Sequence, residues 1–73
     1  MLGIFRIWHV YLCEREGKLY TGITTDLKHR MCQHRADLLY SECYADRHRA
    51  ARREREIKGW RRGKKLDLIR SSR

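Results

Sequence analysis

Two phenols, a guanidinium, an imidazole and a carboxylate stand where the pattern of neighbouring residues turns side chains inward: Tyr11, Tyr20, Arg30, His34 and Glu54. Each alone has an ordinary explanation. A strand tyrosine is commonly a packing residue, a helical arginine commonly lies at the surface, and a single inward glutamate commonly pairs with a cation. Together they form a set that could hold a phosphate-sized anion and handle protons beside it. A domain this small rarely turns so many titratable groups inward without a site.

Other polar combinations carry less. Cys13, Cys32 and Cys43 are scattered among His9, His29, His34 and His48, with no paired knuckles. Cys32 and His34 are two apart, which on a helix aims their side chains about 200° from one another. That spacing excludes a structural zinc site. The thiols read as small buried groups, reduced, in a cytoplasmic protein.

The positioning elements follow from residue type. Residues 6–13 are rich in β-branched and aromatic side chains and read as a strand. Glu14-Arg15-Glu16-Gly17 reads as a four-residue loop, with Gly17 supplying the positive φ that closes it. Residues 18–22 return as a second strand. If Cys13 faces Lys18 across that loop, Leu12 opposes Leu19 and Tyr11 opposes Tyr20, with Cβ atoms about 5 Å apart.

Thr24-Thr25-Asp26 offers a cap for a helix over 27–35, whose inward stripe holds Leu27, Met31 and His34, with Arg30 beside them. Residues 38–44 read as a third strand. Asp46 caps a second helix running to about residue 60, on which Ala50, Ala51, Glu54 and Ile57 share one face while Glu56 points elsewhere. A short last helix spans 61–69, with Leu66 and Ile69 packing back. The expected architecture is α+β: a small three-stranded, mainly antiparallel sheet flanked by helices.

At 73 residues the chain makes one domain over 1–73. So short a chain buries only about 60% of its unfolded surface, so its core is thin. The apolar opening Met1-Leu2-Gly3-Ile4-Phe5 is too short for a secretory leader before Arg6 breaks it, and no stretch is long enough to cross a membrane.

Eighteen Lys and Arg against nine acids give a net charge of +9. Residues 47–65 hold ten of those cations and two glutamates. A merely solvated helix face interleaves both signs, whereas this one is nearly all positive and suits a phosphate backbone. Nothing in it reads base edges, so binding by charge and shape is expected.

The runs His9-Val10-Tyr11, then Leu19-Tyr20-Thr21-Gly22-Ile23-Thr24, then Asp26-Leu27-Lys28-His29-Arg30-Met31 with His34 three residues on, resemble the signature of the GIY-YIG endonuclease superfamily. The nearest likeness is to its small stand-alone bacterial members, similar to the N-terminal nuclease domain of the excinuclease subunit UvrC. Residues 50–60 resemble the helix that carries the metal-binding glutamate in those members.

The resemblance implies a metal-dependent endonuclease, of the kind used in DNA repair, that hydrolyses a phosphodiester bond in nucleic acid, DNA more than RNA. It implies that Glu54 binds one Mg²⁺ or Mn²⁺, and that Tyr11 is the general base or orients the attacking water. Tyr20 would hydrogen-bond the phosphate or the water, Arg30 would clamp the phosphate oxygens, and His34 would assist proton transfer. Gly22 would allow a close approach. Arg47, Arg52, Arg53, Lys58, Arg61, Arg62, Lys64 and Lys65 are the expected nucleic-acid contacts.

The chain departs from that pattern between the first helix and the third strand. Relatives carry a Gly-, Tyr-, Thr- and Arg-containing segment there, whereas here only Arg35-Ala36-Asp37 intervenes. Loss of that cover makes a homodimer across the open face one expectation. It also keeps a second function in view: a non-catalytic basic module that only holds nucleic acid.

Overall fold

A computed structural model of the chain describes residues 6–72. The opening segment read above as too short for a leader lies, in residues 1–5, outside the described part. Six elements follow: β1 (Trp8–Arg15), β2 (Lys18–Thr24), α1 (Leu27–His34), β3 (Asp37–Tyr44), α2 (Arg47–Lys58) and α3 (Arg62–Ser71). The sheet order is β2-β1-β3, antiparallel at both junctions. This is the expected α+β class, with β1 in the centre because its Val10-Tyr11-Leu12-Cys13 run is buried on both faces.

The hairpin corrects the expected register. Arg15 pairs with Lys18, so β1 and β2 run two residues further and only Glu16-Gly17 turns. Both take positive φ, 53° and 79°. That is the requirement of a two-residue turn whose twist matches the strands. Consequently Tyr11 opposes Gly22, and Tyr20 opposes Cys13. The two phenols are diagonal neighbours on one face instead of a facing pair.

Alternation gives β1 two distinct faces. Val10 and Leu12 meet Ala50 and Ile57 of α2 and Ile69 of α3 in the core, all essentially inaccessible. Fully burying each such aliphatic side chain is worth about 1.5–3 kcal/mol. His9, Tyr11 and Cys13 turn to the other face. The C-terminal end of α1 reaches that face, where His34 and the following Ala36 share a cavity with Tyr11, Cys13 and Tyr20.

The helix caps are local chemistry. Asp26 Oδ1 accepts from His29 N at 3.0 Å, and Asp46 Oδ1 accepts from His48 N at 2.8 Å. Helix α1 ends one residue before the expected boundary, because Arg35 adopts the left-handed conformation that terminates helices. That cap lets β3 start at Asp37 without a longer linker. Among the described residues, no helix is long and apolar enough to cross a membrane.

Candidate active site

The site is built around Tyr11 and Gly22. A Cβ placed on Gly22 would sit 2.5 Å from the Tyr11 hydroxyl and 2.7 Å from Cζ. The phenol therefore lies flat over β2, in the space that the missing side chain leaves. Tyr11 is only 8% exposed. Burial pushes its phenol above the ordinary tyrosine range; the Arg30 guanidinium pulls the other way, and Cys13 and Glu54 add to the rise. The Arg30 and Glu54 charges thus both act on this hydroxyl, one from α1 and one from α2.

The five residues singled out in the sequence divide into two overlapping groups. Arg30 and Glu54, both half-buried, bear on Tyr11 through charge. Tyr20 and His34 join Tyr11 around a cavity of about 310 Å³, completed by Cys13, Arg15, Thr21 and Ala36. Tyr11 belongs to both. Two placements differ from the inward stripe expected of α1 and the half-buried hairpin: His34 is exposed, and Tyr20 is 48% exposed. The reason is the short, two-turn length of α1, which ends at His34.

Glu54 keeps 21% of its side chain accessible and pairs with Lys58, Nζ to Oε2 3.2 Å. A cation is thus already attracted to this carboxylate. No group of three or more His, Cys, Asp or Glu able to hold a metal occurs among the described residues. A single carboxylate suits a hard divalent ion that keeps several waters and takes its remaining oxygens from a phosphate. It does not suit zinc or an all-protein calcium cage.

Several of the expected nucleic-acid contacts have partners inside the protein. Arg53 donates Nε to Glu42 Oε1 at 2.6 Å and Nη1 to Glu56 Oε1 at 2.8 Å, and lies 5.2 Å from the Trp60 ring centroid. Lys64 Nζ sits 4.3 Å from that same centroid, and the Arg47 guanidinium 5.5 Å from Trp8. Arg52, Arg61, Arg62 and Lys65 form no ion pair among the described residues. Arg52 and Arg49 line a second, open groove beside Tyr44.

The Glu42 cluster escaped the sequence reading. Tyr40 and Tyr44 both donate their hydroxyls to Glu42, Tyr44 at 2.7 Å. Burial alone would raise this carboxyl. The hydrogen bonds from Arg53, Tyr40 and Tyr44, with the Arg53 charge, outweigh that and hold it below the usual glutamate range. The available signal was the i, i+2, i+4 spacing of Tyr40, Glu42 and Tyr44, which puts all three on one face of a strand. Nothing local pointed to Arg53.

The thiols also need correcting. Only Cys13 is buried; Cys32 and Cys43 are exposed, and all three are unpaired. Cys43 Sγ lies 3.4 Å from His9 Nδ1 across the β1–β3 ladder, on the sheet face that α1 leaves open.

The chain is similar to a UPF0213 protein of Haloquadratum walsbyi, 36% identical over 74 aligned positions covering 82% of this chain and 83% of that protein. Since 82% of this chain is about 60 residues, about 14 of the 74 positions have no counterpart in it. A UPF0213 protein of Yersinia pestis (strain Pestoides F) is 55% identical over 31 residues, 41% of this chain and 33% of its own length. One of Yersinia pseudotuberculosis serotype O:1b gives the same values, so the match spans about a third of either Yersinia protein. No family model and no solved structure matches.

Proposed function

The chain belongs to the UPF0213 family, and we propose that it is a GIY-YIG-type endonuclease that hydrolyses a phosphodiester bond in nucleic acid with one Mg²⁺ or Mn²⁺. The observation that carries this reading is a buried tyrosine fitted against Gly22 on the wall of a cavity shared with Tyr20 and His34, with the charges of Arg30 on α1 and Glu54 on α2 bearing on it. A packing tyrosine needs neither charge.

Each residue then has a task that its surroundings suit. Arg30 presents a fixed fork of donors to phosphate oxygens as negative charge builds on them. Glu54 is the ligand for the ion, and Lys58 must turn aside from its Oε2. The bound ion supplies polarisation of the scissile phosphate and stabilisation of the departing oxygen.

Tyr11 is held protonated at neutral pH by its burial. Its hydroxyl therefore positions the attacking water by hydrogen bonding, rather than removing a proton from it. The exposed imidazole of His34, on the rim of the same cavity, is the group placed to accept that proton. Tyr20 donates to the phosphate from the diagonal position. The substrate is DNA more than RNA, and the open sheet face leaves room for a second copy of the chain.

Incubation of purified protein with Mn²⁺ and supercoiled plasmid tests this directly. Nicked circles are expected with the wild type and absent with Glu54→Ala, while filter binding of the variant to DNA stays within about twofold. Binding by both proteins with nicking by neither would establish the alternative, a basic module that holds nucleic acid without cutting it. Equal nicking by both would remove Glu54 from the reaction.

A further inference from the structure

We infer that the cavity beside Tyr11 receives an unpaired nucleobase next to the scissile phosphate, so that the enzyme prefers nucleic acid with a looped-out or single-stranded nucleotide at the cleavage point. The inference rests on the nuclease reading for what happens at Tyr11, but its own observations are separate.

The first is size and lining. The cavity holds about 310 Å³ and its wall is mostly carbon, from the rings of Tyr11 and Tyr20, the Cys13 thiol, Ala36 and the His34 imidazole. A phosphate alone needs far less room and would gain little from carbon. A flat heteroaromatic ring fits both the volume and the surface, which lies at the lower end of the about 300–1,000 Å³ common to small-ligand sites.

The second is the state of Tyr20. Its ring is 48% exposed on an edge strand. Bases stack on such rings whatever their identity, because every base has a π-face. Arg15 stands on the same wall, one pleat beyond Cys13, and supplies a cation for the phosphate that follows the inserted base.

The third is how the cavity stays open. Helix α1 exits through the left-handed Arg35, so the wall between α1 and β3 is a single small residue, Ala36. With no longer segment there, the connection from α1 to β3 does not cross the mouth. A base inside an intact duplex is covered on both faces by its neighbours and cannot enter a concave pocket; only an unpaired or extruded one can. The pocket therefore selects by structure and leaves the sequence of the strand unread.

Two duplexes of equal length test the proposal, one fully paired and one carrying a single bulged 2-aminopurine, with fluorescence anisotropy for affinity and 2-aminopurine emission for stacking. Ca²⁺ replaces Mn²⁺ so that the strands stay intact. The bulged duplex should bind about 5- to 150-fold more tightly, as one stacked base allows, and its emission should be quenched on binding.

Ala36→Phe, which fills the cavity, should abolish both the preference and the quenching. Its affinity for the paired duplex should stay within twofold, and a thermal melt would show that the variant folds. Arg15→Ala should weaken the preference without abolishing the quenching. Equal affinity of the wild type for the two duplexes would overturn the proposal, as would an Ala36→Phe variant that keeps the preference. Failure of the plasmid nicking assay would leave this binding preference standing, so the two readings fail separately.

Discussion

At the scale of single residues, the decisive pair is Tyr11 and Gly22. The sequence placed a permissive glycine at the end of the second strand and expected a close approach there. The structure supplies the partner, the Tyr11 hydroxyl, 2.5 Å from where a Cβ would stand. Gly22→Ala must push the ring away, because Gly22 lies within a strand that cannot easily retreat from β1. Overpacking of this kind costs about 1–3 kcal/mol. Denaturant unfolding should show that loss, and Mn²⁺-dependent nicking should fall at least tenfold in protein that remains folded. Unchanged nicking would separate the tyrosine's position from the reaction.

Inward position was legible for Arg30 and Glu54, both of which are half-buried. Residue types misled where exposure depends on how far a neighbouring element reaches. Cys32 and Cys43 were read as buried thiols, yet one sits on the outer side of a two-turn helix and the other on the open face of the sheet. No property of cysteine itself could distinguish those places.

At the scale of elements, the hairpin shows why register is harder to read than the strands themselves. Glu14 and Arg15 look like loop residues by composition, but they continue β1 because Glu16 and Gly17 together complete the turn. Glutamate is an uncommon choice for the first of two positive-φ positions, where Asn, Asp or Gly is the usual sign. The signal was therefore absent. The slip moved Tyr20 from a facing to a diagonal position but kept it on the Tyr11 face, since the register changed by two residues and the pleat repeats every two.

The junction of β3 with α2 rests on Glu42 and Arg53, eleven residues apart, with both side chains more than three-quarters buried. This junction should set the pH limits of stability. Glu42 has a lowered carboxyl, so its contribution is complete above about pH 4.5 and is lost as pH falls through the lower folded value. Tyr40 is shifted the opposite way: burial first, then its hydrogen bond to Glu42, pushes it from 10 up to about 12. The neutral phenol therefore stabilises fully below pH 10 and ceases to do so as pH climbs through about 12.

Urea unfolding at pH 3, 7 and 11.5 should show wild-type stability greatest at pH 7. Arg53→Ala should lose about 1–3 kcal/mol at pH 7 and less at pH 3, because protonation of Glu42 on the way down in pH removes charge that Arg53 meets. An equal loss at both pH values would mean that the pair acts through packing and not through charge.

At the scale of the whole molecule, the net charge of +9 was visible from the outset, but its division was not. Arg53, Lys58 and Arg70 are engaged with acids, and Arg47 and Lys64 lie over tryptophan rings. Those partners are spread along the chain from Trp8 to Asp67, so only a folded structure could assign them. The cations of the second half with neither an ion pair nor a tryptophan ring, Arg49, Arg52, Arg55, Arg61, Arg62 and Lys65, number six among the described residues. If each meets one phosphate, the logarithm of duplex affinity should fall against the logarithm of salt with a slope of about −5. Titrations between 50 and 200 mM salt, on the order of the range where this effect is read, would check it. A slope near zero would remove nucleic acid as the partner.

The central claim is that Glu54 holds a divalent ion beside Tyr11, and an anomalous-difference map from crystals soaked in Mn²⁺ tests it most directly. One strong peak is expected on the Glu54 carboxylate, within one water's reach of the Tyr11 hydroxyl, with the Lys58 ammonium displaced. A map in which Mn²⁺ binds elsewhere, or leaves the Glu54–Lys58 pair intact at saturating metal, would contradict the account.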